Sequence, residues 1–201
     1  MDYQGLFSGN GEICSEVEVD LPYPPIRVER PNLDYAVALF RQYSGYDGEL
    51  TATTQYIYQN MVLLNSDPTA AALLECIAIN ESRHFQILGQ LIYMLGADPK
   101  LYAPTRLRGE PQRIRGASDS AVVEGYSWWS GDMLIYTHDF NTMIRNNIEL
   151  EYIAIANYNA ALRVINDVYV RPMLERIILD EQRHIVIFNQ LLGTTPPQNG
   201  G

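Results

Sequence analysis

Two short segments of this chain each set a carboxylate and an imidazole three residues apart. Ile177 to Leu191 reads IILDEQRHIVIFNQL and holds Glu181 and His184, while Leu74 to Leu91, LECIAINESRHFQILGQL, holds Glu81 and His84. Residues three apart share one face of a helix, so each pair presents a carboxylate beside an imidazole. The same faces carry Ile77, Ala78, Phe85 and Leu88 in one segment and Ile177, Ile178, Ile185 and Phe188 in the other. Both pairs therefore point into a core, where ionised carboxylates are costly unless positive charge lies among them.

The two segments are copies of each other. Leu74/Leu174, Glu75/Glu175, Ile77/Ile177, Glu81/Glu181, Arg83/Arg183, His84/His184, Ile87/Ile187, Gln90/Gln190 and Leu91/Leu191 coincide. Two further acids repeat as well: Glu49 opens ELTATTQY and Glu151 opens EYIAIANY, both of the form E-x-x-A-x-x-x-Y. Glu49 precedes Glu81 by 32 residues and Glu151 precedes Glu181 by 30, so a helix, a turn and a second helix bring each pair to one height. Four helices then supply one carboxylate each and two also supply a histidine.

Glu49, Glu81, His84, Glu151, Glu181 and His184 make the ligand set of a dinuclear carboxylate centre, in which four carboxylates balance two divalent ions. Oxygen-rich ligation with two imidazoles suits iron or manganese better than a thiolate-preferring metal. The competing reading is a pair of salt-bridged surface turns, which the apolar faces and the repeat argue against. Glu149 competes with Glu151 for the third-helix position, because residues two apart lie about 200° around a helix and only one can face inward. The matching Ala154 and Tyr158 favour Glu151, with Glu149 as a supporting or movable group. Asn80 and Asp180, each one residue before a Glu-x-x-His, either hydrogen-bond the outer nitrogens of the histidines across the bundle or face solvent. Tyr56 and Tyr158 either bond to the ligand carboxylates or are core tyrosines with ordinary partners. His138 lies too far from Glu151 to be a ligand.

The elements that must position these groups follow from periodicity. Residues 1–31, with breakers from Gly5 to Gly11, an alternating EVEVDL and prolines at 22, 24, 25 and 31, read as an extended arm with one short strand, packed on its own bundle or on a second subunit. Asn32 caps a first helix predicted to run to about Asn65, in which Gly45 and Gly48 mark either a close approach or a kink. Asp67-Pro68 opens a second helix ending near Gly96. Residues 97–131 read as a long crossover containing the basic stretch RLRGEPQRIR and the packing anchors Trp128 and Trp129. A third helix is expected from about Asp132 to Ile165 and a fourth from about Val170 to Leu192. Residues 194–201 then form a loose tail. Two hairpin links flanking one long crossover give an all-α, ferritin-like four-helix bundle over residues 32–193.

Composition narrows the function. A net charge of −10 argues against nucleic acid as a partner. Cys14 and Cys76 are too few and too far apart for a thiolate zinc or rubredoxin-type iron site. A disulfide is not expected, and Cys76 reads as core. There is no secretory leader and no membrane-spanning run, so cytoplasmic residence is the expectation.

At these residues the chain resembles the ferritin-like superfamily of rubrerythrins, bacterioferritins and manganese catalases, over about residues 32–192. GELTATTQY looks like the first-helix ligand segment of bacterioferritins, and QYSGYDGELTA behind a proline-rich arm looks more like manganese catalases and their spore-coat relatives. The loop around Asn65 to Thr69 is longer, as in rubrerythrin-like chains. Ser82 stands where bacterioferritins have the methionine that ligates haem, so no haem is implied. The resemblance implies two iron or two manganese ions on the six residues named, acting on hydrogen peroxide or dioxygen. Catalase turnover needs no reductant, whereas peroxidase chemistry needs an external electron donor and ferroxidase chemistry ferrous iron. A homo-oligomer is expected. The alternative is a storage, coat or cage protein whose metal site is ferroxidase-like or non-catalytic.

Overall fold

Four of the described helices start where the sequence provides a side-chain acceptor for their orphan amides. The computed structural model describes residues 14–101, 112–113, 122–123 and 129–194. In α1 (Leu33–Ser44) the Asn32 side chain accepts from the amides of Asp34 and Tyr35. Asp67 accepts from Ala70 N at 3.0 Å to start α3 (Pro68–Met94), with Pro68 in its first turn. Asp139 accepts from Thr142 N at 2.8 Å to start α4 (Phe140–Val164), and Asp167 accepts from Tyr169 N and Val170 N to start α5 (Val170–Thr194). None of the described helices is long and apolar enough to cross a membrane.

The first predicted helix is in fact two, α1 and α2 (Glu49–Leu63), separated at Gly45 to Gly48. The chain makes a tight local turn there. A Cβ built on Gly45 would lie 2.4 Å from the Arg41 carbonyl oxygen, and one on Gly48 would lie 2.5 Å and 2.6 Å from the carbonyl oxygens of Arg41 and Gln42. Both glycines are thus required by the approach of their own preceding turn. The break also places Glu49 in the first turn of α2, where its acid faces the bundle interior. Gly48→Ala is expected to destabilise the protein by about 1–3 kcal/mol through backbone displacement. A urea unfolding midpoint equal to wild type would show that the loop has slack.

The third predicted helix starts eight residues later than expected, at Phe140 instead of Asp132. Residues 131–133 form a 3-10 turn and the chain then runs irregularly to Asp139. The reason is a side-chain clasp: Gln55 Nε2 donates to Ile135 O at 2.9 Å, and Ile135 N donates to Gln55 Oε1 at 2.6 Å. With both backbone groups of Ile135 engaged by α2, a helix cannot pass through it. Trp129 is partly buried. Trp128 and most of the basic stretch at 106–115 lie outside the described residues, although Gln112–Arg113 (β1) and Val122–Val123 (β2) form a two-residue antiparallel ladder in the crossover.

α2 packs along α3 and α4 along α5, with α1 against α3 and α4, so the crossover joins two helical hairpins. Two apolar clusters fill the bundle at different heights. One joins Phe40, Leu88, Leu91, Tyr158 and Leu174, and the other joins Tyr56, Leu74, Ile77, Ile144 and Phe188. Along every rod the predicted acids fall between these clusters, so a polar layer is sealed above and below by hydrocarbon.

The arm packs on its own bundle, with Tyr23, Ile26 and Val28 against the first cluster. It contains no strand among the described residues, because its backbone groups bond to side chains of α5 instead. Val19 N donates to Asp180 Oδ1 at 2.9 Å, and Arg176 donates to the carbonyls of Val19 and Leu21 at 3.0 Å and 2.6 Å. Further along, Glu29 N donates to Asp167 Oδ2 at 2.8 Å. The expectation that no disulfide forms is overturned: Cys14 and Cys76 are bonded, with Cα atoms 4.9 Å apart across 62 residues of sequence. Once the arm folds back along α3, a cysteine ahead of EVEVDL meets one on the helix, a proximity that local spacing does not reveal.

Candidate metal centre

The polar layer gathers Glu49 from α2, Glu81 and His84 from α3, Glu151 from α4 and Glu181 and His184 from α5, each 3% exposed or less. Their ligand-type atoms form two groups, each within 4.8 Å: Glu49, Glu81, His84 and Glu181, and Glu81, Glu151, Glu181 and His184. Glu81 and Glu181 belong to both. Glu81 sets Oε2 3.0 Å from His84 Nδ1 and Oε1 2.9 Å from His184 Nδ1. Glu181 sets Oε1 3.2 Å from His84 Nδ1 and Oε2 3.2 Å from His184 Nδ1. The other two acids each serve one end, with Glu49 3.7 Å from His84 Nδ1 and Glu151 3.7 Å from His184 Nδ1. The internal repeat has become a two-fold arrangement in space.

Whether this donor set fits cations is decided by its orientation. Glu81 Oε1 and Glu181 Oε1 are buried and accept no aligned hydrogen bond, although an imidazole nitrogen lies beside each. Two buried carboxylate oxygens are thus left to be satisfied by some other group. Adjacent donors of an octahedral ion with bonds near 2.1 Å lie about 3 Å apart, which is the spacing found here. The set fits divalent cations, which these six side chains would hold in two overlapping groups that have Glu81 and Glu181 in common.

The surrounding groups hold the ligands in place. Tyr56 donates to Glu151 Oε1 at 2.6 Å, and Tyr158 donates to Glu49 Oε1, so each tyrosine of one E-x-x-A-x-x-x-Y helix bonds the acid of the other. The outer nitrogens of the histidines meet the residues that precede the opposite motif: His84 Nε2 lies 3.2 Å from Asp180 Oδ2, and His184 Nε2 lies 3.0 Å from Asn80 Oδ1. Such contacts fix the tautomer and leave Nδ1 free to ligate. Glu149 does not take part. It is exposed, on the far side of α4 from Glu151, as the angular separation of the two residues requires. His138 is exposed ahead of α4.

Two residues of this layer are not among those the motifs single out. Tyr23, in the arm, donates to Asp180 and lies 3.0 Å from His84 Nε2. Arg176, buried one turn before Asp180, pairs with it at 2.6 Å and lies 4.3 Å from the Tyr23 ring centroid. An arginine on the buried face of a predicted helix was the one available hint for Arg176. Nothing in the spacing marks Tyr23.

The buried acids and imidazoles shift one another's protonation. Burial, reinforced by Glu181 and Glu81, pushes the Glu49 carboxyl well above the usual range, and burial with the same two neighbours does so for Glu151. Burial opposes the imidazolium of His84, but the attraction of Glu181 and contacts with Asp180 and Glu49 outweigh it and raise the pKa; for His184, Glu81 and Glu181 do the same. Glu81 is held low against burial by the two histidines. Glu49, Glu151, His84 and His184 are thus all shifted toward their protonated forms, which metal binding must displace. Metal loading is expected to release protons and to weaken as pH falls. Calorimetric titration in buffers of differing ionisation enthalpy measures this, and binding without proton release would contradict these shifts.

The sequence model described as manganese containing catalase matches residues 18–199, nearly the whole chain. The chain belongs to the manganese-containing catalase family. A probable manganese catalase of Clostridium acetobutylicum is 27% identical over 168 residues, covering 83% of this chain and 74% of that protein. Among solved structures, the manganese catalase KatB of Anabaena PCC7120 superposes with a TM-score of 0.68 at 23% identity, over 92% of this chain and 84% of KatB. The bacterioferritin of Desulfovibrio desulfuricans superposes at 0.57 and 22%, over 83% and 91%, which places this catalase-family bundle in the wider ferritin-like fold. Family membership settles the branch that the first-helix and loop resemblances left open. As a member of the manganese-containing catalase family, the chain is a dinuclear metal oxidoreductase that acts on peroxide.

Proposed function

We propose that this protein disproportionates hydrogen peroxide, 2 H₂O₂ giving 2 H₂O and O₂, at two manganese ions held by Glu49, Glu81, His84, Glu151, Glu181 and His184. The observation that carries this is the pair of shared carboxylates: Glu81 and Glu181 each reach both imidazole Nδ1 atoms, a ligand frame that would hold two ions. When bound, the metal pair supplies reversible two-electron chemistry, which lets one peroxide be oxidised and the next reduced without an external donor.

The chain's own residues admit and orient the substrate. A cavity of about 10 Å³, room for a single water-sized molecule, lies against the acids and is lined by Gly48, Ala52, Leu150 and Ala154 as well as Glu49 and Glu151. The alanines of the two E-x-x-A motifs keep this space open beside their glutamates. Gln42 lines the same cavity. Its Nε2 donates to Asn157 O at 2.8 Å while its buried Oε1 has no partner, which provides an acceptor for a peroxide O–H. Tyr56 and Tyr158 hold the terminal acids, and the apolar clusters on both sides exclude bulk water.

Oxygen evolution from peroxide, measured on protein loaded separately with manganese and with iron, tests the proposal. Manganese-dependent evolution supports it, faster turnover with iron reassigns the metal, and no evolution with either overturns catalase activity. The exposed Ile57, Met61 and Ile79 on α2 and α3 support self-association, which light scattering of the loaded protein checks.

A further inference from the structure

Tyr23 belongs to none of the bundle helices, yet its hydroxyl is the hub of the polar layer behind both imidazoles. It donates to Asp180 Oδ2, accepts from Asn80 Nδ2 at 3.2 Å and lies 3.0 Å from His84 Nε2. Asn80 turns its other atom, Oδ1, to His184 Nε2 at 3.0 Å. One hydroxyl group from the arm thereby connects the outer nitrogens of both histidines, directly for His84 and through one amide for His184. A side chain linked only to Asp180 would support one end of the site. This one spans both.

The arm is built to hold that hydroxyl in position. Cys14, nine residues before Tyr23, is bonded to Cys76 on α3, and Glu29 N, six residues after it, is bonded to Asp167 ahead of α5. Between these anchors Arg176 binds the carbonyls of Val19 and Leu21, and the guanidinium groups of Arg176 and Arg83 lie 4.3 Å and 5.7 Å from the Tyr23 ring centroid. The ring is clamped on several sides and has little freedom to swing away.

We propose that Tyr23 is a positioning residue of the metal centre: its hydroxyl fixes the ring orientations of His84 and, through Asn80, of His184, and so slows the escape of bound metal. This rests on the reading of the cluster as a manganese centre. Groups that orient ligating histidines are worth 10–100-fold in metal affinity or activity, and the loss of this hydroxyl leaves both Asp180 and Asn80 one partner short.

The test uses full-length protein loaded with manganese and challenged with excess EDTA. Tyr23→Phe, which keeps the ring and its packing, is expected to release manganese about 10–100-fold faster than wild type and to alter the electron paramagnetic resonance spectrum of the reduced manganese pair. Arg27→Ala, which unpacks the arm from the Tyr169 ring 4.6 Å away without touching the hydroxyl, is expected to leave both readouts unchanged. Wild-type release and spectrum in Tyr23→Phe overturn the inference, as does equal acceleration by Arg27→Ala, which would assign the effect to the arm's packing alone. If Tyr23→Phe does not fold, Asn80→Ala carries the test through faster release of one of the two ions; release of both at the wild-type rate overturns the inference. Wild-type protein that takes up no manganese overturns the metal reading itself.

Discussion

Glu81→Gln is expected to lower peroxide disproportionation by more than about 100-fold, beyond the usual effect of losing a group that only supports a ligand. Glu81 is 1% exposed and its two oxygens lie 3.0 Å and 2.9 Å from the two imidazole Nδ1 atoms, so it stands in both ligand groups. Glutamine preserves the volume but removes the charge and turns an amide N–H toward a position built for cations. The variant should retain its fold and hold fewer than two ions per chain. Elemental analysis beside an oxygen-electrode assay reads both quantities. Two bound ions with wild-type oxygen evolution would remove Glu81 from the centre. Glu149→Gln is the matched control: its side chain is solvent-facing and its loss should change neither measurement.

The second large effect is on stability. Removing the metal forces six buried ionisable groups to share protons in a layer sealed between two apolar clusters, a condition that loses the attraction that offsets their desolvation. A ligand present at 1,000 times its dissociation constant stabilises the native state by about 4 kcal/mol, and in a chain of this size 1 kcal/mol shifts the melting temperature by roughly 2–4 °C. Stripping both ions with a chelator should therefore lower the melting temperature by about 8–16 °C, with recovery on adding manganese back. An identical melting curve before and after chelation would mean that the layer is stable on protons alone.

How much of this could be read in advance varied with the range of the interaction. The layer of six residues was legible because the repeat wrote it twice: the Glu-x-x-His pairs are local on their helices, and the E-x-x-A-x-x-x-Y segments mark the matching height on the other two rods. The crossed contacts of Asn80 and Asp180 could be anticipated for the same reason, since each sits one residue from a motif. What escaped were contacts between distant segments without local periodicity. Gln55 reaching over to engage both backbone groups of Ile135 delayed the start of α4, and no pattern near Ile135 announces it. Gly45 and Gly48 were visible as weak points, but only the approach of the Arg41 and Gln42 carbonyls turns a kink into a break. Tyr23 lies in a proline-rich arm where neither helical nor strand periodicity applies, so its place behind the histidines depends wholly on how the arm docks.

That docking has a chemical consequence. The chain's two cysteines are joined to each other, so no sulfhydryl remains for peroxide to convert to sulfenic or sulfinic acid. A protein that works in the presence of an oxidant thus offers it no thiol to attack, and the clasp securing the arm is already in its oxidised form.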